Sequence, residues 1–477
     1  GNTAGQINQG ANSISIGNIA GNTGQGGNAI AIGVQAGQTR QGANAVSVGA
    51  YAGQNTQQTG GIAIGYQAGQ NTQGTEAIAI GISAGRTNQG TFGVAIGSEA
   101  GSLNQGTSSV AVGRLAGNIS QGQAAVAVGR RAGANSQGFN ATAVGNTAGQ
   151  YYQQTGGVAI GAISGETYQG TNAIAIGVGA GANTQGVFSI SIGDRAGQYI
   201  QGNASISIGI QAGQTGQEYD AIAIGDQAGQ ISQSFVSIAI GTASGYNNQG
   251  RTSIAIGRGS AFNTQGNFSI AMGEATAYER QYDYAVAIGY QTGYNNQGTN
   301  AIAIGTEAGF NNQGGDTIAI GNKAGHTNQS DYSIAIGSFA GENIQLAESV
   351  AIGYLTGREN QKAGAVAIGA YAGQYTQGGT AVAIGYLAGN NSQGVSSVSI
   401  GINAGLDNQG IECVAIGESA RLAPYYDKNN DSKYDPLDGD YPTLNYGKEE
   451  IKNIPDMMLY MIYNDKGNIH SETQGVP

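Results

Sequence analysis

The chain predicts an all-β fold, a parallel β-solenoid or β-roll of 16-residue coils forming a long rod. Three observations predict it. A glycine recurs at Gly17, Gly33, Gly49 and onward to Gly417 at an unbroken 16-residue spacing, giving 26 copies. Each is preceded by an alternation of large and small residues, as in EAIAIG at residues 76–81. A glutamine column keeps the same period through every copy. Self-similarity at one fixed period, with no insertion or deletion, is the signature of a stacked solenoid.

The first element of each coil is a strand. Ile14 and Ile16, Ile30 and Ile32, Val46 and Val48, and so on to Val414 and Ile416, alternate with Ala or Ser, and Thr142 is the one polar exception. Period two and β-branching both specify extended backbone. The small residues do not drift to Lys, Glu or Gln, as a solvated face would. The strand therefore reads as buried on both sides, with Ile/Val inside its own coil and Ala/Ser against a second layer or another chain. Ala31, Ala63, Ala79 and Ala255 are assigned to that inter-chain packing.

The corner comes next. A small residue such as Ala20, Ala36 or Ala52 precedes a second glycine, Gly21, Gly37 or Gly53, with Ala261, Ala277 and Arg421 as exceptions. Such glycines serve positive φ or close backbone approach. Outward pairs such as Ile82-Ser83 and Arg86-Thr87 vary freely.

The last element holds the glutamines Gln9, Gln25, Gln41, Gln57, Gln73, Gln89 and onward to Gln409. With coils stacked at about 4.8 Å, their amides would form a ladder along the rod. The alternative is that each Gln caps its own turn. At that spacing 26 coils make a rod on the order of 125 Å long.

Composition narrows the partners. A net charge of −11 argues against nucleic acid and anionic membrane, and no apolar run is long enough to span a bilayer. One cysteine, Cys413, rules out an internal disulfide framework. The phase of the repeat at Gly1 suggests an array already running upstream, and export signals are either removed or lie outside this segment.

The phrase AIAIGxxAGxxxQG resembles the head repeats of trimeric autotransporter adhesins of the YadA type, and similar arrays occur in giant-virus fibre proteins. The resemblance covers residues 1 to about 417 and implies a β-roll that self-associates into a trimer or a higher ring. The longer period and the unbroken Gln column depart from the family pattern.

At Glu418 the register ends. All five prolines and three of the four methionines lie beyond it. Residues 418–477 therefore read as a separate Pro/Asp-rich tail that begins a further domain after the 1–417 array. Within it Asp427, Asn429, Asp431, Lys433 (through its carbonyl), Asp435 and Asp438 match positions 1, 3, 5, 7, 9 and 12 of a Ca²⁺ loop. Ser432 stands in place of the usual Gly, and Asp438 in place of Glu. A polar interdomain turn is the alternative. The stretches RLAPYYDKNNDSKYDPLDGDYP and YNDKGNIHSETQG resemble a module of large secreted Bacteroidota surface proteins, often exported by the type IX system. That resemblance implies an extracellular or cell-surface location and chain continuing beyond Pro477. Residues 457–465, MMLYMIYND, read as a strand of that further domain.

No enzymatic constellation is legible. His326 and His470 sit in unrelated segments and read as solvated, the GxxAG stretches precede no helix, and Cys413 occupies a column of small residues. Outward tyrosines, among them Tyr51, Tyr66, Tyr151, Tyr152, Tyr290, Tyr294, Tyr354, Tyr371 and Tyr386, suit rod packing, plain surface or a receptor such as a cell-surface glycan. The reading is a non-enzymatic structural shaft of an extracellular filament or adhesin, giving length and attachment. A virion fibre is the alternative, and an ice-binding solenoid or a polysaccharide-active enzyme fits less well.

Overall fold

The computed structural model describes residues 1–426 and 441–445, the strands at Arg421–Tyr426 and Tyr441–Asn445 by their backbone. The array is a parallel β-solenoid with two sheets per coil. The first sheet stacks 26 three-residue strands, from Ile14–Ile16 to Val414–Ile416. Each pairs in parallel with its neighbours in the 16-residue register, as in Ile78↔Val94, Ala79↔Ala95 and Ile80↔Ile96. The second sheet stacks the strands that end on the Gln column, such as Thr87–Gln89 and Leu103–Gln105. Where a coil lacks a regular second strand, single bridges Gln41↔Gln57, Gln57↔Gln73 and Gln73↔Gln89 carry the ladder on.

One coil shows why the chain closes in so few residues. After Ile78–Ile80 the backbone turns through Gly81 (φ 130°), Ser83 (φ 55°) and Gly85 (φ 51°). It then runs through Thr87–Gln89 with Asn88 at φ 55°, and turns again at Phe92 (φ 58°). Two of these positions require glycine. A Cβ on Gly81 would lie 2.7 Å from Gly97 O, because backbone stacks directly on backbone there. A Cβ on Gly85 would lie 2.6 Å from Gln89 Oε1 and 3.2 Å from Ala79 Cβ, because that corner points inward. The second-strand position of Asn88 holds Asn or Ser readily in the left-handed region, and Thr184, Ile200 and Ile344 also sit there at φ 53–57°. At Thr56, Thr72 and Thr376 the residue leaves that region, and the strand reduces to a bridge at its Gln. Even the turns bond from coil to coil, with Ser83 N donating to Tyr66 O at 2.8 Å and Gly85 N to Ala100 O at 2.9 Å.

The interior reverses the orientation expected for the first strand. Ala31, Ala63, Ala79 and Ala255 are wholly buried inside their own chain, whereas Ile32, Ile64 and Ile80 stand 37–39% exposed. These alanines therefore present no surface to another chain, and their assignment to oligomer packing is corrected. The reason is width: the space between the two sheets holds a methyl group and a primary amide, and an Ile side chain does not fit. Strand alanines and corner alanines alternate along the axis, as in Ala63, Ala68, Ala79 and Ala84, and form the apolar part of the core. The large side chains that are fully buried are the glutamines.

Beyond the array, Arg421–Tyr426 pairs antiparallel with Tyr441–Asn445, with a register irregularity between Ala423 and Tyr426. The Ca²⁺-loop residues Asp427, Asn429, Asp431, Lys433, Asp435 and Asp438, and the strand read at 457–465, lie outside the described residues.

Candidate functional surfaces

The Gln column makes both kinds of bond that its spacing suggests. Gln153 Nε2 donates across the coil to Thr142 O at 2.8 Å, within its own turn to Gly157 O at 3.0 Å, and up the rod to Gln169 Oε1 at 2.9 Å. The longest continuous run is Gln121–Gln137–Gln153–Gln169–Gln185, with steps of 2.9–3.1 Å. Gln41, Gln57 and Gln73 form a shorter run, and Gln9 donates to Gln25 at 3.1 Å from an exposed position in the first coil. Further runs join Gln201–Gln217–Gln233, Gln265–Gln281–Gln297, Gln313–Gln329 and Gln361–Gln377–Gln393, and the ladder breaks between runs. Gln41, Gln89, Gln105 and Gln121 each bury an amide oxygen with no hydrogen-bond donor.

The Ser variants of the strand interior have a partner in this column. Ser47 Oγ donates to Gln57 Oε1 at 2.7 Å, and Ser191 and Ser207 do the same to Gln201 and Gln217 at 2.5 and 2.6 Å. Ala and Ser are thus interchangeable because the buried hydroxyl meets an amide oxygen with a lone pair to accept it.

Outside, the first sheet presents its Ile/Val columns as a stripe along the rod, with Ile16, Ile32, Ile64, Ile80 and Ile96 among the exposed members. Another outward column, the one holding Arg86, is less free than its variation suggests. It groups like with like. Gln54 donates to Gln38 at 3.0 Å and Gln70 to Gln54 at 2.8 Å. Six successive coils then carry Tyr246, Phe262, Tyr278, Tyr294, Phe310 and His326, stacked with centroids 4.7–5.1 Å apart and planes within 15°. Their faces cover one another, and burial, followed by Tyr278 and Glu279, pushes the Tyr294 phenol above its ordinary pKa. The 16-residue spacing of these rings was the signal that could have found them.

His326 is half-buried at the end of this stack, not simply solvated, with Nε2 3.3 Å from Glu307 Oε2. A second line runs Phe235, Arg251, Phe268, with the guanidinium 4.7 and 5.3 Å from the two ring centroids. Phe339, Tyr354, Tyr371 and Tyr386 meet edge to face. Cys413 is half-buried in the last coil, and burial raises its thiol pKa. Among the described residues, no three His, Cys, Asp or Glu side chains come together as a metal site, and no helix is long and apolar enough to cross a membrane. No protein-family model, curated protein or solved structure matches the chain.

Proposed function

We propose that this chain is the structural shaft of an extracellular surface filament or adhesin, and that copies of it associate side by side through the Ile/Val stripe. The rod itself is the observation at the coarser level: 26 stacked strands in one register, which at about 4.8 Å each reach roughly 120 Å. The stripe carries the rest of the reading. A three-residue strand is about 10 Å wide, so the face approaches roughly 1,200 Å². The largest apolar patch on a typical monomer is about 300–600 Å², and a stable interface takes about 800 Å² from each partner. An apolar strip with this repeat is matched by a second copy, which offers the same length and period. The Ala residues stay inside and the Ile/Val residues mediate contact, the reverse of the arrangement expected from pattern alone.

The decisive experiment is sedimentation or light scattering on the native chain and on the triple variant I64K/I80K/I96K. These side chains are already exposed in the single chain, so the coil tolerates the change. The expected result is an oligomer for the native chain and a monomer for the variant, both appearing as rods in negative stain. A native chain that stays monomeric at tens of micromolar would overturn the reading.

A further inference from the structure

The second sheet carries a trough that the shaft function does not use. It has a volume of about 510 Å³, and its wall is made of Asn296, Asn312 and Asn328, one from each of three successive coils. Asn296 Nδ2 donates to Asn312 Oδ1 at 3.0 Å and Asn312 Nδ2 to Asn328 Oδ1 at 3.2 Å, so the three amides are held in one orientation, yet all three residues are exposed. Their backbones sit in the left-handed region at φ 53–55°, which fixes where the side chains leave the chain. The floor is backbone at Gly298 and Gly314. Tyr282 occupies the same register position as those glycines in the first of the lining coils, and Ala347 lies in the last. Asp331 lines the side, with Oδ1 accepting Gly315 N at 2.8 Å.

We infer that this trough is a binding site for a neutral, β-1,4-linked pyranose chain lying along the rod. Each bonded amide still has a hydrogen or a lone pair to offer, and planar amides with a carboxylate are the groups that pair with adjacent sugar hydroxyls. Tyr282 supplies an apolar ring in the first of those coils, against which the C–H face of a sugar can rest. The lining holds a carboxylate and no cation, on a chain of net charge −11, which selects against polyanions. Spacing selects against peptide. An extended peptide advances about 3.3 Å per residue, out of step with coils about 4.8 Å apart, whereas an extended β-1,4-linked pyranose chain advances by roughly one coil per sugar. Three coils thus offer one amide to each of about three sugars. The two outward faces lie on opposite flanks, since the inner faces of the sheets meet through the Gln side chains, so self-association through the Ile/Val stripe leaves the trough open. The inference stands on the trough alone.

The test is calorimetric titration of the full chain with cellotetraose and with chitotetraose. Saturable binding of at least one is expected. Ser330→Tyr fills the trough at the register position where Tyr282 already shows that a Tyr is accommodated, and should weaken binding at least tenfold. Asn312→Gly removes the central amide at a backbone angle glycine adopts freely, and should weaken it at least threefold. Asn104→Gly, in the equivalent column far from the trough, should leave it unchanged. The inference is overturned if neither sugar binds at about 10 mM, if Ser330→Tyr binds like the native chain, if Asn104→Gly weakens binding as much as Asn312→Gly, or if a Gly/Ser peptide competes equally.

Discussion

Two glutamines in the same column allow the ladder to be weighed against the local cap. Gln89 donates to Ile78 O at 2.7 Å and Gly93 O at 3.0 Å, and its Oε1 has no donor. Gln153 makes the two corresponding bonds at 2.8 and 3.0 Å, gives one ladder bond to Gln169 at 2.9 Å and receives one from Gln137 at 3.1 Å. Truncation to Ala removes the same atoms from equally buried sites, so transfer and cavity costs cancel between Gln89→Ala and Gln153→Ala. What remains is the bond received from Gln137, of about 0.5–1.5 kcal/mol, and a donation to Gln169 that shares one of the two amide hydrogens, so Gln153→Ala should cost about 0.5–3 kcal/mol more. A repeat rod opens locally, which makes a global melt a poor readout. Hydrogen exchange over strands Tyr151–Gln153 and Thr87–Gln89 reads the local opening directly. Amides beside Gln153→Ala should speed up by a further factor of about 2 to 150 relative to those beside Gln89→Ala. Equal acceleration in the two variants would refute the idea that the ladder contributes to stability.

Three other expectations can be checked in the same way. Ala79→Ser should place a hydroxyl beside the donorless Gln89 Oε1, as Ser47 does for Gln57, and slow local exchange by the equivalent of about 0.5–1.5 kcal/mol; faster exchange would mean the hydroxyl is not received. Phe262→Leu removes two stacking contacts, at 4.7 and 4.8 Å, and should cost about 1–3 kcal/mol with loss of near-ultraviolet aromatic dichroism; an unchanged spectrum would contradict the stack. The phenol of Tyr294 has a pKa raised in the folded chain, so its protonated form contributes stability below the ordinary tyrosine value of about 10, and that contribution is lost as pH rises through the folded value. Thermal loss of the stack's near-ultraviolet dichroism, a local readout, should therefore shift to lower temperature more steeply above about pH 10 in the native chain than in Tyr294→Phe, and identical slopes would show that Tyr294 is not the group responsible.

The period, the strand, the two corners and the Gln column were all legible in the sequence, because each is a column with a single physical requirement. Which face of the strand points inward was not. The rule that large apolar residues lie inside presumes room for them, and a two-sheet coil of 16 residues leaves room for Ala79 and Gln89 but not for Ile80. A second signal was available in the columns themselves. The Ile/Val columns admit Thr142 and Met272, changes of size and polarity that a tight interior would reject, while the Gln column admits nothing. The aromatic block from Tyr246 to His326 was hidden for a different reason. Its column reads as variable when taken over the whole chain, and is ordered only between neighbours, where stacking at the coil spacing rewards like beside like.

The reversal bears on what kind of object the coil is. A core of alanine methyl groups buries little apolar area per residue, so the transfer term that drives ordinary globular folding is small here. The work passes to hydrogen bonds, which run coil to coil through both strands and both turns, and to amides whose bonds are made only when the next coil is in register. Such a coil is specified by its neighbours more than by itself, which is why an insertion or deletion would cost every bond across the break. The apolar area that a globular domain would hide is left on the outside, concentrated on one flank by the two-residue period of the strand. The interior of this chain therefore sets length and register, while its exterior holds the surface available for association.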